Sequence, residues 1–209
     1  MNVINIDKAV DNACTLTKTL SSTKVFVNSL KILRFNSKNI FRKIIFLIFE
    51  LVFSIIIICQ SNTILLVKDI YGLLITILIA FIAIVFTGYA FFQALLNDKL
   101  LVTLLSVDEN EGNLCETNEY FAEVMIFQMV CTLLDIVVVI FAMIIPADWI
   151  LLPNKILNEI ISGTLIVISL YCNFESIWEM KSFIFNVFQL FNLHACARMV
   201  DIKEKEDNK

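Results

Sequence analysis

The sequence predicts an all-α integral membrane protein. Four transmembrane helices are expected to form two antiparallel hairpins, with both termini in the cytoplasm and helical cytoplasmic extensions. The first observation behind this prediction is composition: 59% of the 209 residues are hydrophobic and only 17% are charged. Soluble domains carry about 45–50% apolar and about 25% charged residues, so this chain would expose large apolar patches in water. A lipid bilayer is therefore the expected solvent.

The second observation is the length of the apolar runs. A helix needs about 20 consecutive apolar residues to cross the hydrocarbon core. The expected spans are residues 44–61, 70–96, 121–145 and 156–178. They are expected to be helices because lipid offers no hydrogen-bond partners to an open backbone. No small-residue cleavage site follows the first run, so it is predicted to be an uncleaved anchor.

The third observation is the distribution of basic residues, which predicts the orientation. Half of the 16 Lys and Arg residues precede position 44, whereas the 61–69 loop and the "PADWILLPNK" turn carry one Lys each. The positive-inside rule then places both termini in the cytoplasm of the cell. The expected parts are a basic amphipathic arm (1–43), an acidic cytoplasmic loop (97–120), and a helix with a charged tail (179–209). Residues 179–200 fit either an interfacial helix or a continuation of the fourth span.

The second span carries a stripe of small side chains with a seven-residue period. Small residues let transmembrane helices approach closely, and this period favours left-handed packing. We expect the stripe to be a helix-packing seam. Its members are Thr76, Ala80, Ala83, Thr87, Ala90 and Ala94.

Each of the other spans also has one polar or small face, and these faces are expected to meet inside a bundle. Asp135 is predicted to lie near the middle of the bilayer, level with Ser54, Ala83 and Ser169, where only hydroxyl partners are expected. A second layer is expected nearer the cytoplasm. The candidate intramembrane polar site contains Asp135, Glu50, Gln128, Thr132, Ser54, Ser169 and Asn173, and the second layer would hold Glu50, Thr87, Gln128 and Asn173.

Three interpretations of Asp135 follow from the cost of an acid at that depth, about 2.5–3.5 kcal/mol on insertion scales. Asp135 is a protonated acid that ties helices together, a cation or proton site in a wet cavity, or a contact between copies of the chain. For Glu50 we expect a pairing with Lys181 near the inner surface rather than an ion site.

Sequence motifs give little support to an enzyme. There is no HExxH, GxSxG or Walker motif, and four glycines leave no phosphate-binding loop. The six cysteines include no CxxC pair, so no metal, disulfide or cofactor is expected. No basic stripe with interleaved aromatics suggests direct nucleic-acid binding. The expected partners are the bilayer, further copies of the chain and a soluble cytoplasmic protein.

Two functions remain from the sequence. One is a polytopic membrane subunit that oligomerises or anchors a cytoplasmic partner. The alternative is an oligomeric ion- or proton-conducting pore that uses Asp135 and Glu50. The four-span plan and the Ile/Asn/Lys-rich composition resemble membrane proteins of AT-rich bacteria, some of which are encoded beside phage-defence or toxin genes. This resemblance implies a bacterial defence- or toxin-linked role.

Overall fold

The computed structural model describes residues 21–37, 39–96, 101, 114–146 and 153–207, and these residues contain helices but no strand. A short helix α1 (Ser22–Ser29) is followed by a 3₁₀ turn, Leu30–Leu33. Four longer helices follow: α2 (Ile40–Ile58), α3 (Thr63–Leu95), α4 (Leu114–Ile144) and α5 (Lys155–Asp207). The described helices therefore agree with the predicted all-α class.

Three segments of the described helices are long and apolar enough to cross a membrane: Thr63–Leu95, Thr117–Ile144 and Lys155–Val200. They correspond to the second, third and fourth predicted spans. The predicted first span falls on α2. This helix has 19 residues and is mainly apolar, but it contains the charged residues Arg42, Lys43 and Glu50. Three long apolar helices are compatible with a membrane protein.

The helix bounds differ from the predicted spans in two places. Helix α4 begins at Leu114, so the last part of the predicted 97–120 loop is helical. Helix α5 is unbroken to Asp207, so residues 179–200 continue the helix of the fourth predicted span. The Asn154 side-chain oxygen caps the start of α5, accepting from the backbone nitrogens of Ile156 and Leu157 at 3.0 and 3.3 Å. Residues 1–20, most of the 97–113 loop and residues 147–152 lie outside the described part.

Contacts divide the chain into two compact units. The first unit comprises Leu30–Ile82 and Phe127–Glu179. One of its hydrophobic clusters is built from Ile57, Tyr71, Leu74, Ile166 and Leu170, so α2, α3 and α5 pack together there. A second cluster joins Leu78 of α3 with Phe127 and Cys131 of α4, and the 3₁₀ turn packs against it.

Helices α2 and α5 approach each other closely at a glycine of the first unit. A Cβ atom on Gly163 would lie 2.6 Å from Ile58 Cδ1, and the Ser54 hydroxyl donates to the Gly163 carbonyl at 3.0 Å. In lipid the hydrophobic effect does not drive helices together. Small residues that allow close approach, and polar contacts of this kind, stabilise the helix pair instead. Gly163 therefore fixes the spacing of this helix pair.

The second unit comprises the described residues of Met1–Ser29, Ala83–Ile126 and Met180–Lys209. Phe121 of α4 lies at its centre, with ring contacts to Tyr89, Phe92 and Phe183 at centroid distances of 5.7, 5.7 and 5.3 Å. The Tyr89 hydroxyl donates to Asn118 Oδ1 at 2.8 Å. Aromatic packing and one polar contact thus join α3, α4 and α5 within this unit.

Candidate functional site

The candidate polar side chains lie inside the first unit. Most of the candidate polar residues are buried, and Ser169 is half-buried. Buried polar and charged residues of this unit are Lys43, Glu50, Ser54, Gln128, Thr132, Asp135, Asn173, Glu175 and Ser176. Large apolar side chains instead face outward, for example Ile48, Phe49 and Val137. An apolar outside around a polar inside is the arrangement expected of helices that pack in lipid.

Asp135 has an amide partner that the sequence did not predict. The Asn173 side-chain nitrogen donates to Asp135 Oδ1 at 2.8 Å and to the Ser169 carbonyl at 3.0 Å. Asp135 is 0% exposed and Asn173 1%. Ser169 and Tyr71, a residue that the sequence analysis did not single out, lie beside this pair. Side chains from α3, α4 and α5 therefore meet at Asp135.

The predicted depth of Asp135 is wrong relative to two residues. Ser54 contacts α5 at Gly163, whereas Asp135 contacts it at Asn173. Those two positions are separated by about 15 Å at a rise of 1.5 Å per residue. On α3 the neighbour of Asp135 is Tyr71, and Ala83 lies about 18 Å further along that helix. Only Ser169 shares the level of Asp135 as predicted.

The expected second layer is formed only in part. Glu50 lies near Tyr171, Cys172 and Glu175, which flank Asn173 on α5, but Asn173 also reaches Asp135. Thr132 and Gln128 lie on the buried face of α4, where the Thr132 hydroxyl donates to the Gln128 carbonyl at 2.8 Å. Thr87, placed in this layer by the sequence, is exposed on α3. The candidate residues thus follow the inward faces of separate helices rather than two horizontal layers.

Glu50 is 0% exposed, and neither of its carboxylate oxygens has a hydrogen-bond partner among the described residues. The expected pairing with Lys181 is therefore not formed. Its electrostatic neighbour is another acid, Glu175 of α5. Glu50 is the least compensated acid of the first unit.

A buried basic cluster at the start of α2 was missed by the sequence analysis. Arg42 donates to Glu175 Oε2 at 2.8 Å, and the Lys43 ammonium lies 3.4 Å from the same oxygen. Lys43 is fully buried, while the Arg42 guanidinium lies over the Trp178 ring at 5.1 Å. The sequence indicated these two bases only as determinants of orientation. Their acidic partner lies 133 residues after Arg42 in the chain, so the local sequence around α2 did not indicate the ion pair.

Lys43 also holds the 3₁₀ turn before α2. Its ammonium donates to the Ile32 carbonyl at 2.7 Å and to the Tyr171 hydroxyl at 3.2 Å. Tyr171 in turn donates to the Leu33 carbonyl at 3.2 Å, and its ring stacks on Phe35. The end of the N-terminal arm is thereby fixed to α5 by Lys43 and Tyr171.

The stripe of small residues on α3 lies on the surface of the chain. All six members are exposed: Thr76, Ala80, Ala83, Thr87, Ala90 and Ala94. The buried side of α3 carries Tyr71, Leu74, Leu78, Val85 and Phe92. At 100° per residue these two sets lie on opposite sides of the helix. The stripe is exposed rather than buried between helices of the chain, contrary to expectation.

In the second unit the stripe borders an open apolar groove of about 480 Å³. The groove runs between Thr87 and Gly88 of α3 and Phe183 and Val187 of α5. A Cβ atom on Gly88 would lie 2.6 Å from the Phe183 ring. Gly88 is thus required for the close packing of that ring.

The chemistry available at these positions is proton or cation binding and helix association. Within the described ranges no three His, Cys, Asp or Glu residues lie together in a way that could hold a metal ion. Cys59 and Cys196 are exposed thiols, and Cys131 is a buried one. Comparison of the chain with family models, with curated proteins and with solved structures found no match.

Proposed function

We propose that the chain is a multi-pass cell-membrane protein that assembles with copies of itself and anchors a soluble cytoplasmic partner. The observation that carries this proposal is the exposed stripe on α3. Four small residues of the second unit, Ala83, Thr87, Ala90 and Ala94, are exposed on the mainly apolar helix α3. Stripes of small residues are the surfaces through which membrane helices associate, and a second copy supplies the missing helix.

The four-span arrangement in this proposal treats α2 as a further span. From Ile44 to Ile58 every exposed side chain of α2 is apolar, and Lys43 and Glu50 are buried within the first unit. Its 19 residues correspond to about 29 Å of helix, close to the hydrocarbon thickness of about 30 Å. The charges of α2 therefore do not have to face lipid.

Contacts between α2 and α5 support an even number of crossings. Arg42, near the start of α2, binds Glu175, whereas Ser54, near its end, binds Gly163. The two helices are therefore antiparallel. The start of α2 and the Glu175 region of α5 lie at the same end of the pair. With the basic residues that precede α2, the positive-inside rule assigns that end to the cytoplasm.

The oligomer is tested by measuring the mass of the detergent-solubilised protein by native mass spectrometry. The Ala83→Leu/Ala90→Leu variant is expected to shift the protein towards the monomer, because two added isobutyl groups prevent close helix approach. Ala195→Leu, the same change at an exposed position of α5, is the matched control and keeps the wild-type mass. A monomeric wild-type protein contradicts the proposal.

The cytoplasmic platform is tested by deleting part of the acidic loop. Because α4 begins at Leu114, the deletion is limited to residues 97–113. Loss of a reproducibly captured protein from the deleted variant, with the oligomer intact, is the expected result. The defence- or toxin-linked role rests on the architectural resemblance given above, and the identity of the adjacent genes tests it.

An oligomeric ion- or proton-conducting pore is the second candidate function. The buried and unpartnered carboxylate of Glu50 favours it. Ion flux into proteoliposomes is expected to fall in Glu50→Gln and in Asp135→Asn. If ion flux is unchanged in both variants, these two carboxylates do not take part in conduction.

A further inference from the structure

Glu50 presents a buried charge without a counterpart. It lies in the middle of α2, is 0% exposed, and both of its oxygens lack a hydrogen-bond partner in the described part of the chain. A carboxylate removed from solvent is not tolerated as a bare ion, since neither solvation nor an opposite charge compensates it. Some positively charged species must therefore neutralise Glu50.

The two bases on α2 are not available for this role. The Lys43 ammonium has three donors, and three acceptors surround it: the Ile32 carbonyl, the Tyr171 hydroxyl and Glu175 Oε2. Arg42 donates to that same Glu175 oxygen. Glu179 is a second acid that acts on Lys43, so the two bases at the start of α2 are matched by two acids, Glu175 and Glu179.

The groups that α5 turns towards Glu50 are also unable to compensate it. Its titratable neighbours on that helix are Glu175, Tyr171 and Cys172. One of them is an acid, and the other two are neutral in the protonated state. With Glu50, Glu175 and Glu179 against Arg42 and Lys43, this part of the first unit holds three acids and two bases.

Asp135 differs from Glu50 in this respect, although both are fully buried. One Asp135 oxygen accepts a hydrogen bond from the Asn173 amide at 2.8 Å. A partnered acid of this kind fits a structural tie between α4 and α5. Asp135 Oδ2 has no hydrogen-bond partner among the described residues, but its Oδ1 has one, whereas Glu50 has a donor on neither oxygen.

We propose that Glu50 is the binding site for one exchangeable monovalent cation, a proton or Na⁺, held inside the first unit. The single charge of the ligand follows from the single open carboxylate. Sites for divalent cations usually contain several carboxylates, and no group of three His, Cys, Asp or Glu residues that could hold a metal ion exists among the described residues. The site deepens the second candidate function, but it requires neither conduction nor oligomerisation, so it is tested by binding alone.

The first test is thermal unfolding of the full chain in mild detergent. A ligand that binds only the folded state raises the melting temperature, Tm. If the ligand is a proton, the wild-type Tm falls as the pH rises, and Na⁺ has no effect. If it is Na⁺, the Tm at alkaline pH is higher in sodium than in choline chloride. Glu50→Gln is expected to lose whichever dependence the wild type shows, and Glu159→Gln, at an acid of α5 that is 45% exposed, to keep it.

The second test requires no variant. A hydrophobic carbodiimide reacts with protonated carboxyl groups in apolar surroundings, and peptide mapping locates the adduct. The expected adduct is on Glu50; its rate of formation falls as the pH rises, and Na⁺ slows it only if Na⁺ is the ligand. Absence of an adduct on Glu50 at every pH, or the same pH and Na⁺ dependence of Tm in wild type and Glu50→Gln, overturns the proposal.

Discussion

Glu175 is the acid that compensates two cations of α2, so its replacement by Gln is expected to destabilise the first unit strongly. Glu175 is 1% exposed, and its Oε2 lies 2.8 Å from Arg42 and 3.4 Å from the Lys43 ammonium. Gln keeps the shape of the side chain but removes the negative charge. Lys43, which is 0% exposed, is then left as a buried ion with two neutral partners. Removing one partner of a buried ion pair costs about 3–5 kcal/mol, and we expect Glu175→Gln to fall in that range.

Lys43→Met is expected to cost less, because Glu175 still has Arg42 when Lys43 is removed. The main loss is then the donor to the part-buried Ile32 carbonyl, at a cost of up to about 3 kcal/mol. In the double variant no buried ammonium remains, so its cost is expected to be smaller than that of the two single variants added together. The double-mutant cycle isolates this coupling energy.

Trp178 makes these free energies measurable by fluorescence. Its ring lies under the Arg42 guanidinium at 5.1 Å, and Trp149→Phe leaves it as the only tryptophan. Unfolding is followed in mixed micelles with increasing denaturing detergent. Glu159→Gln is the control, since Glu159 is 45% exposed and its pair with Lys155 at 3.9 Å is worth at most about 0.5 kcal/mol. If Glu175→Gln costs no more than Glu159→Gln, the buried cluster does not stabilise the protein and the reasoning is refuted.

Three further predictions concern other features. Gly88→Ala is expected to destabilise the protein by about 1–3 kcal/mol because the added Cβ meets the Phe183 ring, whereas Gly72→Ala, with open space around it, is expected to stabilise α3 by up to about 1 kcal/mol; unfolding curves compare the two. Asn173→Leu is expected to cost about 1–3 kcal/mol because it leaves Asp135 without its donor, and Asp135→Asn less than about 1 kcal/mol because an amide oxygen can still accept; equal costs would argue against the pair. In a protein with Cys14 and Cys115 replaced by Ser, an impermeant maleimide is expected to label exposed Cys59 from outside right-side-out vesicles, exposed Cys196 only in inverted vesicles, and buried Cys131 in neither; labelling of Cys59 and Cys196 from one side contradicts the proposed threading.

The helices were predictable because apolar length and the lack of backbone partners in lipid are local properties. The inward direction of Asp135, Gln128 and Asn173 was equally predictable, since an isolated polar side chain has only one favourable direction on an apolar helix. Relative depth was not predictable, because counting from span ends assumes that all helices begin and end at the same level. Helix lengths of 19, 33, 31 and 53 residues show that they do not.

Helix α3 shows a second limit of the sequence pattern. One side carries small residues at seven-residue spacing, and the opposite side carries Tyr71, Leu78, Val85 and Phe92, which also lie seven residues apart. Periodicity identifies both stripes but does not say which one is buried within the chain. Tertiary packing makes that choice. The ion pairs of Arg42 and Lys43 were missed for the same reason, because their partner lies on a distant helix.

The long sequence separation between Arg42 and Glu175 has a consequence for biosynthesis. The two residues are 133 positions apart, so translation at about 5–20 residues per second separates their emergence by about 7 to 27 s. During that interval the newly made α2 holds a lysine and a glutamate whose final surroundings have not yet been synthesised. Helix α2 is thus completed only when α5 has been made, and the insertion machinery or lipid head groups must compensate its charges until then.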